Sequence, residues 1–210
     1  MVLEGRKPRL RGEAYLIRCI DDFIVCFQYR SDAIRFQEGL VNRLHKFKLE
    51  LESSKTRLIE FGRFASKHSQ RKGMNKLDTL YFLGFTHYCT RNRQGNFMVG
   101  RKTEKKRLKR SMGNVQETMG RMQHEPLEVQ AKKINQMLQG HYAYYGMAGN
   151  LKCLSKVYAT TVTYWRKVLS RRSRKSYVTW EEYQRLRSLF PLMRPKIFIP
   201  YQRLKTYAML

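Results

Sequence analysis

Apolar residues in the first hundred positions fall into short strand-length runs separated by one helical stripe. Ala14–Ile17 and Phe23–Phe27 are runs of aliphatic and aromatic side chains with little between them. They predict two buried strands joined tightly through Cys19–Asp22. Ser31 can cap a helix in which Ala33, Phe36, Leu40, Leu44 and Phe47 recur at helical spacing. A turn through Ser53 and Ser54 then leads to a short predicted strand, Arg57–Phe61. Residues 62–76 are polar, basic and punctuated by glycine, which predicts a loop. Tyr81–Tyr88 and Phe97–Val99 predict two more strands around the turn Asn92-Arg93-Gln94-Gly95.

Beyond position 100 the period becomes helical. Leu108, Met112, Val115, Met119 and Met122 form one apolar stripe. Pro126 suits the first turn of a second helix carrying Leu127, Ile134, Leu138, Tyr142 and Tyr145. A third helix carries Leu151, Leu154, Tyr158, Val162, Trp165 and Leu169, and a fourth opens at Thr179 with Glu182 completing a capping box. The change of period near 100 predicts the domain boundary: 1–99, then a helical domain over 100–182, then a basic tail over 183–210. The fold class is α+β.

Composition narrows the partners. The chain of 210 residues has 43 Lys and Arg against 16 Asp and Glu, a formal charge of +27. Such an excess repels itself in a compact chain, and a polyanion relieves it. With 12% aromatic residues there are also flat faces on which bases can stack. Nucleic acid is the expected partner. Cys19, Cys26, Cys89 and Cys153 form no CxxC pair, which points to neither a zinc site nor a disulfide framework. His68, His87, His124 and His141 lack metal-ligand spacing. The start MVLEGRKPRL has no apolar core of a leader, and no apolar run approaches 18 residues. Secretion and a membrane location are therefore not expected.

Two of only four aspartates, Asp21 and Asp22, stand side by side between the first two strands. At a tight turn both carboxylates can lean to one side, where crowding and partial burial make them repel. A divalent cation removes that penalty. Mg²⁺ binds through one or two carboxylates together with substrate phosphates, and a pair of such ions can clamp the oxygens of phosphoryl transfer. The plainer reading is a structural turn, since Asp is a common turn residue.

Arg18-Cys19-Ile20-Asp21-Asp22-Phe23 resembles the catalytic palm hairpin, normally R-Y-A-D-D-F, of group II intron reverse transcriptases and maturases. Leu49–Arg57, with Lys55-Thr56, resembles the palm motif that follows it, and Phe82-Leu83-Gly84-Phe85 resembles the primer-grip segment that comes next. Ile134–Tyr145 resembles the maturase-specific pattern, with His141 where Trp is usual, and residues 105–172 resemble that domain throughout. Order and spacing agree across nearly the whole chain. The resemblance implies a partial right-hand polymerase palm followed by an α-helical thumb and maturase bundle. It implies Asp21 and Asp22 as metal ligands and catalytic residues, Lys55 as the lysine that acts on the leaving pyrophosphate, and Leu83 and Gly84 as backbone against a primer. Cys19 and Ile20 depart from the family's Tyr and Ala.

The family's fingers and the palm strand with a third metal-binding Asp would precede position 14, so polymerase chemistry is expected to be inherited but not self-sufficient. Mg²⁺ would then bind only in a completed site, with a separate chain supplying fingers and upstream palm. Group II intron RNA is the expected partner, with target DNA or a primer beside it, in a bacterial cytoplasm or an organelle matrix.

Basic residues mark the helical half as an RNA surface. Residues 101–110 hold seven basic residues, with Arg101, Lys105 and Lys106 among them, and one glutamate. From Val129 to Trp180 there are ten Lys and Arg and no Asp or Glu. A merely solvated surface mixes signs, whereas a one-signed stretch is a footprint for phosphate. Arg171, Arg172, Arg174 and Lys175 cluster where the third helix ends, more than a helix dipole requires. Of Tyr142, Tyr144 and Tyr145, helical spacing buries some and leaves one to stack on RNA; Tyr142 and Tyr145 are the candidates for contact. Three functions compete: a polymerase completed by another chain, an RNA-holding maturase without catalysis, and a generic basic protein of a ribonucleoprotein particle.

Overall fold

A computed structural model describes residues 10–52, 54–66, 70, 77–173 and 177–208, the last four as backbone only. It is α+β, and it divides after Glu60 into two compact units. The break lies well before the compositional change near 100. That change marks a switch from strand to helix, whereas packing joins the strands just before it to the helices just after.

In the first unit, strands β1 (Ala14–Cys19) and β2 (Asp22–Phe27) form an antiparallel hairpin in the register Ala14↔Phe27 to Cys19↔Asp22. Helix α1 (Arg30–His45) follows. Phe27 meets Phe36 of α1 with ring centroids 5.3 Å apart. A two-stranded ribbon under one helix can cover only one of its faces. Tyr15, Ile17 and Cys26 on the other face are exposed, so the expectation of two buried strands is corrected to half-exposed ones. Ser31 is not the cap of α1: Tyr29 holds that position without a side-chain bond. Asp32 and Ala33 are buried here, and Asp32 Oδ2 accepts the backbone N–H groups of Arg11 and Gly12. Phe47 lies beyond the helix and is exposed. Arg57–Glu60 joins no strand among the described residues.

The second unit begins with a three-stranded antiparallel sheet, β3 (Thr79–Phe82), β4 (Phe85–Arg91) and β5 (Phe97–Thr103), in that spatial order. The predicted strand over Tyr81–Tyr88 is in fact two strands around a two-residue turn. Leu83 (φ 49°) and Gly84 (φ 75°) both take positive φ, the signature of a type I′ hairpin turn. The other turn forms as expected: Asn92 Oδ1 accepts the N–H groups of Gln94 and Asn96, and Gly95 supplies a φ of 80°.

Helices α2 (Lys105–Arg121), α3 (Leu127–Tyr145), α4 (Leu151–Leu169), α5 (Trp180–Leu189) and α6 (Tyr201–Ala208) complete the unit. The predicted stripes are the ones that pack, except that Leu151, in the first turn of α4, is exposed. Met119, Ile134, Leu138, Tyr142, Leu154 and Trp165 form one core with Tyr183 and Leu192. The Thr179–Glu182 capping box is present on α5.

Residues 183–200 are not a loose tail. Tyr183 and Leu192 are buried in the common core, and Asn135 binds Pro191 O and Met193 N at 2.9 and 2.7 Å. The N–H groups of Phe198 and Ile199 both donate to Gly146 O. Gly146 has no alternative there, because a Cβ would stand 2.2 Å from Tyr142 O.

One buried carboxamide holds the α2–α3 connection. Gln130 Oε1 accepts Trp165 Nε1–H at 2.8 Å, and its Nε2 donates to the carbonyls of Met122, Gln123 and Glu125. Gln130→Leu would strand the indole N–H in the core and take one donor from each of the three carbonyls. It should lower unfolding free energy by about 3 kcal/mol, read by urea denaturation. Gln130→Glu should cost at least as much, because it keeps the acceptor for Trp165 but sets a buried carboxylate oxygen against three carbonyl oxygens.

Candidate nucleic-acid interface

The aspartate pair lies at the tip of the β1–β2 hairpin. Ile20 and Asp21 form its two-residue turn and Asp22 opens β2. Both carboxylates are exposed, so the partial burial expected to make them repel is not found. A side chain at a turn tip has water on most sides, which disperses the repulsion. Among the described residues, no group of three His, Cys, Asp or Glu side chains is close enough to hold an ion. Asp21 and Asp22 do not form a closed protein cage for an ion; Mg²⁺ held by one or two carboxylates would need substrate phosphates as further ligands.

Ile20 carries a φ of 58° and is 83% exposed, an unusual conformation for a β-branched residue. Arg18 Nε donates to Ile20 O at 2.7 Å and holds the turn. Lys55 sits in a separate turn built on Glu52, whose carbonyl accepts the N–H groups of Lys55 and Thr56. Ser54 donates to the Glu52 carboxylate from both hydroxyl and backbone, which holds that carboxyl below its usual range.

In the second unit, side-chain links fix the relation of α2 to α4. Thr103 binds Asn150, Met112 accepts from Thr160, and Gln123 donates to Arg171 O. Sequence separations of 47, 48 and 48 mean that the two helices run parallel in constant register. Lys105 and Lys109 of α2 therefore lie level with Lys152 and Lys156 of α4, and all four are exposed. Each pair is one helical turn apart, about 6 Å along its axis. The result is two short basic columns side by side, a surface suited to a phosphate backbone. Lys106 is exposed as well. Arg101 is half-buried near His87, and burial followed by the Arg101 charge lowers the His87 pKa.

A tyrosine cluster forms where α3 meets the β3–β4 turn. Tyr144 Oη donates to Leu83 O at 3.1 Å, and Tyr145 Oη stands 3.1 Å from where a Cβ on Gly84 would be. The backbone of Leu83 and Gly84 is thus approached closely by tyrosines of the chain itself. Phe85, His141, Tyr144 and Tyr145 pack with ring centroids 4.7–6.3 Å apart. Burial, then the Tyr144 hydroxyl, raises the Tyr145 phenol, while Arg107 and Arg110 act against that shift. Glu104 N–H donates to Gly84 O at 3.0 Å, which sets the first turn of α2 beside the cluster, and Arg107 there lies 3.9 Å from the Glu104 carboxylate. Burial alone lowers the His141 imidazole.

Two expected contacts are corrected. Tyr142 is fully buried, with its hydroxyl donating toward Met193 O at 3.4 Å, and burial pushes its phenol well up. It packs the core and has no face for RNA. Arg172 donates from Nε to Gln123 O at 2.8 Å and from Nη2 to Glu125 O, so its guanidinium ties α4 to the α2–α3 connection. Arg171 is exposed. Arg174 and Lys175 lie outside the described residues. Sequence reasoning counted Arg107, Lys109 and Arg110 within 101–110 and Lys152 and Lys156 within 129–180 without singling them out; their spacing on the helices, read beside the apolar stripes, was the available signal. A cleft of about 580 Å³ beside Gly62–Ser66 and the β4–β5 turn has Arg63 and Arg91 at its edge and no acid among its lining residues.

Among the described residues no helix is long and apolar enough to cross a membrane. Comparison with protein-family models, with curated proteins and with solved structures finds no match.

Two expectations separate the structural residues from the exposed ones. Arg172→Ala should lower the unfolding free energy by about 1–2 kcal/mol, whereas Arg171→Ala should leave it unchanged and reduce the salt slope of RNA binding by about one; thermal unfolding and filter binding at several salt concentrations read both. Ile20→Asn, which puts a residue tolerant of positive φ at the hairpin turn, should stabilise the chain by about 1 kcal/mol in the same unfolding assay.

Proposed function

We propose that this protein binds structured RNA through its helical half, as a maturase of group II intron lineage, and that RNA-directed polymerisation is inherited but not completed by this chain. The observation that carries the binding is the one-signed surface. Ten Lys and Arg and no acid lie between Val129 and Trp180, and Lys132, Lys133, Lys152, Lys156 and Lys167 are exposed on two helices of one rigid core. Folding uses two of the ten, Arg166 and Arg172, whose guanidiniums bind backbone carbonyls, but it does not need the exposed lysines, because the core is apolar. Phosphate neutralisation does account for it. Such binding is led by shape, through phosphates, 2′-hydroxyls and unpaired bases.

The lineage rests on the ordered segments Arg18–Phe23, Leu49–Arg57, Phe82–Phe85 and Ile134–Tyr145. In that reading residues 1–99 are a partial polymerase palm, and the helices over 100–182 are thumb and maturase domain. Asp21 and Asp22 would hold Mg²⁺ against substrate phosphates, and Lys55 would face a triphosphate. The ion's chemistry is Lewis-acid stabilisation of a transferring phosphoryl group. Two exposed carboxylates at a hairpin tip would orient it only with ligands from substrate and from a second chain. The second reading, a catalytically inactive basic protein of a ribonucleoprotein particle, is favoured by the same exposure of Asp21 and Asp22.

Purified full-length chain should bind a folded group II intron more tightly than an unstructured RNA of equal length at the same salt. Equal affinity for both would remove the maturase reading and leave the generic one. Primer extension on an RNA template with Mg²⁺ should stay at the level of Asp21→Asn. Extension abolished by that substitution would instead mean that the chain assembles a working polymerase site.

A further inference from the structure

Tyr144 has one fixed face and one open face. Its hydroxyl is held by Leu83 O, and its ring lies nearly parallel to Phe85, 13° between planes and 6.3 Å between centroids. Tyr145 meets it edge-on at 4.7 Å. Phe85 beneath is only 5% exposed, while Tyr144 itself is 56% exposed. One face of the phenol ring therefore covers the core and the other meets solvent. Covering Phe85 needs only an apolar side chain, whereas a pinned aromatic ring offers a stacking surface that loses little rotamer freedom on binding.

The surroundings select the ligand. The first turns of α2, held to Gly84 O by Glu104 N–H, bring exposed Arg107 and Arg110 to this side, with Glu104 3.9 Å from Arg107. The chain as a whole carries +27 formal charges, so an anion-linked aromatic ligand is favoured over an apolar one. Of the other exposed rings, Tyr81 pairs with Thr86 and so points to the opposite face of the sheet from Phe85, and Phe198 stands against Gly146, past the end of α3. A track of successive stacked bases would need a second ring in line. The cluster offers a place for one base.

We infer that Tyr144 is a stacking platform for a single unpaired base of a structured RNA, with Arg107 and Arg110 receiving the phosphates on either side of it. The inference rests on the RNA-binding reading above and adds to it which feature of the RNA is held and by which residue. Stacking on an aromatic side chain is worth enough for an alanine-type truncation to cost about tenfold in affinity.

The test uses the full chain and two RNA stems of the same sequence, one fully paired and one with a single 2-aminopurine bulge. The wild-type protein should bind the bulged stem about tenfold more tightly and quench its fluorescence, which reads stacking without any variant. Tyr144→Leu keeps an apolar cover over Phe85 and should lose both the preference and the quenching, with paired-stem affinity unchanged. Tyr144→Phe should retain both. Arg107→Gln with Arg110→Gln should weaken binding to both stems and flatten its salt dependence. The proposal is overturned if the wild-type protein binds both stems alike without quenching, or if the bulge preference survives in Tyr144→Leu. Binding of neither stem would remove the RNA-binding reading itself, and this inference with it.

Discussion

The buried side chain of Asn150 is the joint on which the larger unit is hung. Its Oδ1 accepts Thr103 N–H at 2.8 Å, and its Nδ2 donates to Thr103 Oγ1 and to Tyr145 O at 2.8 and 2.9 Å. One amide thereby joins the end of β5, the start of α2, the end of α3 and the start of α4. Burial makes the joint demanding, because each of these groups would cost free energy if left unpaired away from water. It also makes the joint specific, since a slip of α4 by one residue would break all three bonds. The level alignment of Lys105 with Lys152 and of Lys109 with Lys156 follows from it. So does the seat of Tyr145 against Gly84, and with that the position of Tyr144 over Phe85.

The charge acts on this frame in a particular way. Positive side chains crowded on parallel helices raise one another's energy, and little acid is present to offset it. The interior answers with neutral groups: the Gln130 amide between Trp165 and three carbonyls, the Thr161 hydroxyl on Val157 O, and Asn150 itself. Guanidiniums that do fold inward meet aromatic rings or carbonyls. Arg166 lies 4.5 Å from the Trp180 ring centroid and donates to Val178 O, and Arg187 donates to Tyr158 Oη. Arginines so held contribute to the core through stacking and hydrogen bonds. The lysines stay outside, and the net field they produce is the part left for a ligand.

What could be read from the sequence follows the range of the interaction involved. The stripes of α2, α3 and α4 and the capping box of α5 are set by residues three and four apart, and they formed as the spacing predicts. Asn92–Gly95 is a turn by local chemistry and was equally plain. The Leu83–Gly84 turn was missed because leucine at positive φ is not a turn signal; the turn is held instead by Tyr144 and by Glu104 N–H, which donates to Gly84 O at 3.0 Å. Arg172 looked like part of a phosphate cluster because its partners, the carbonyls of Gln123 and Glu125, lie nearly fifty residues away. The stretch 183–200 read as a tail because its ties to Asn135 and Gly146 are likewise distant. Tyr142 and Tyr144 show the limit at the site itself. Two residues apart on a helix, they differ by about 200° in direction, and the stripe Ile134–Leu138–Tyr142 already indicated which of them would be buried.

The two units are suited to different work. Metal-assisted chemistry needs its ligands held to within about half an ångström by packed surroundings. Asp21 and Asp22 stand on a two-stranded ribbon with one helix behind it, beside a turn residue in an unfavourable conformation, and their unit buries few side chains. Recognition of a folded RNA asks for something else: charges and flat rings fixed at set spacings over a broad surface, with tolerance for water between them. Parallel helices locked by Asn150 and filled by Trp165, Tyr142 and Tyr183 provide that. Asp21 and Asp22 therefore sit on the less buried part of the chain, and the exposed lysines of α2, α3 and α4 sit on the part with the larger core. Catalysis at the hairpin would require the missing stiffness to come from whatever binds there, whereas binding along the helices requires nothing beyond the fold already present.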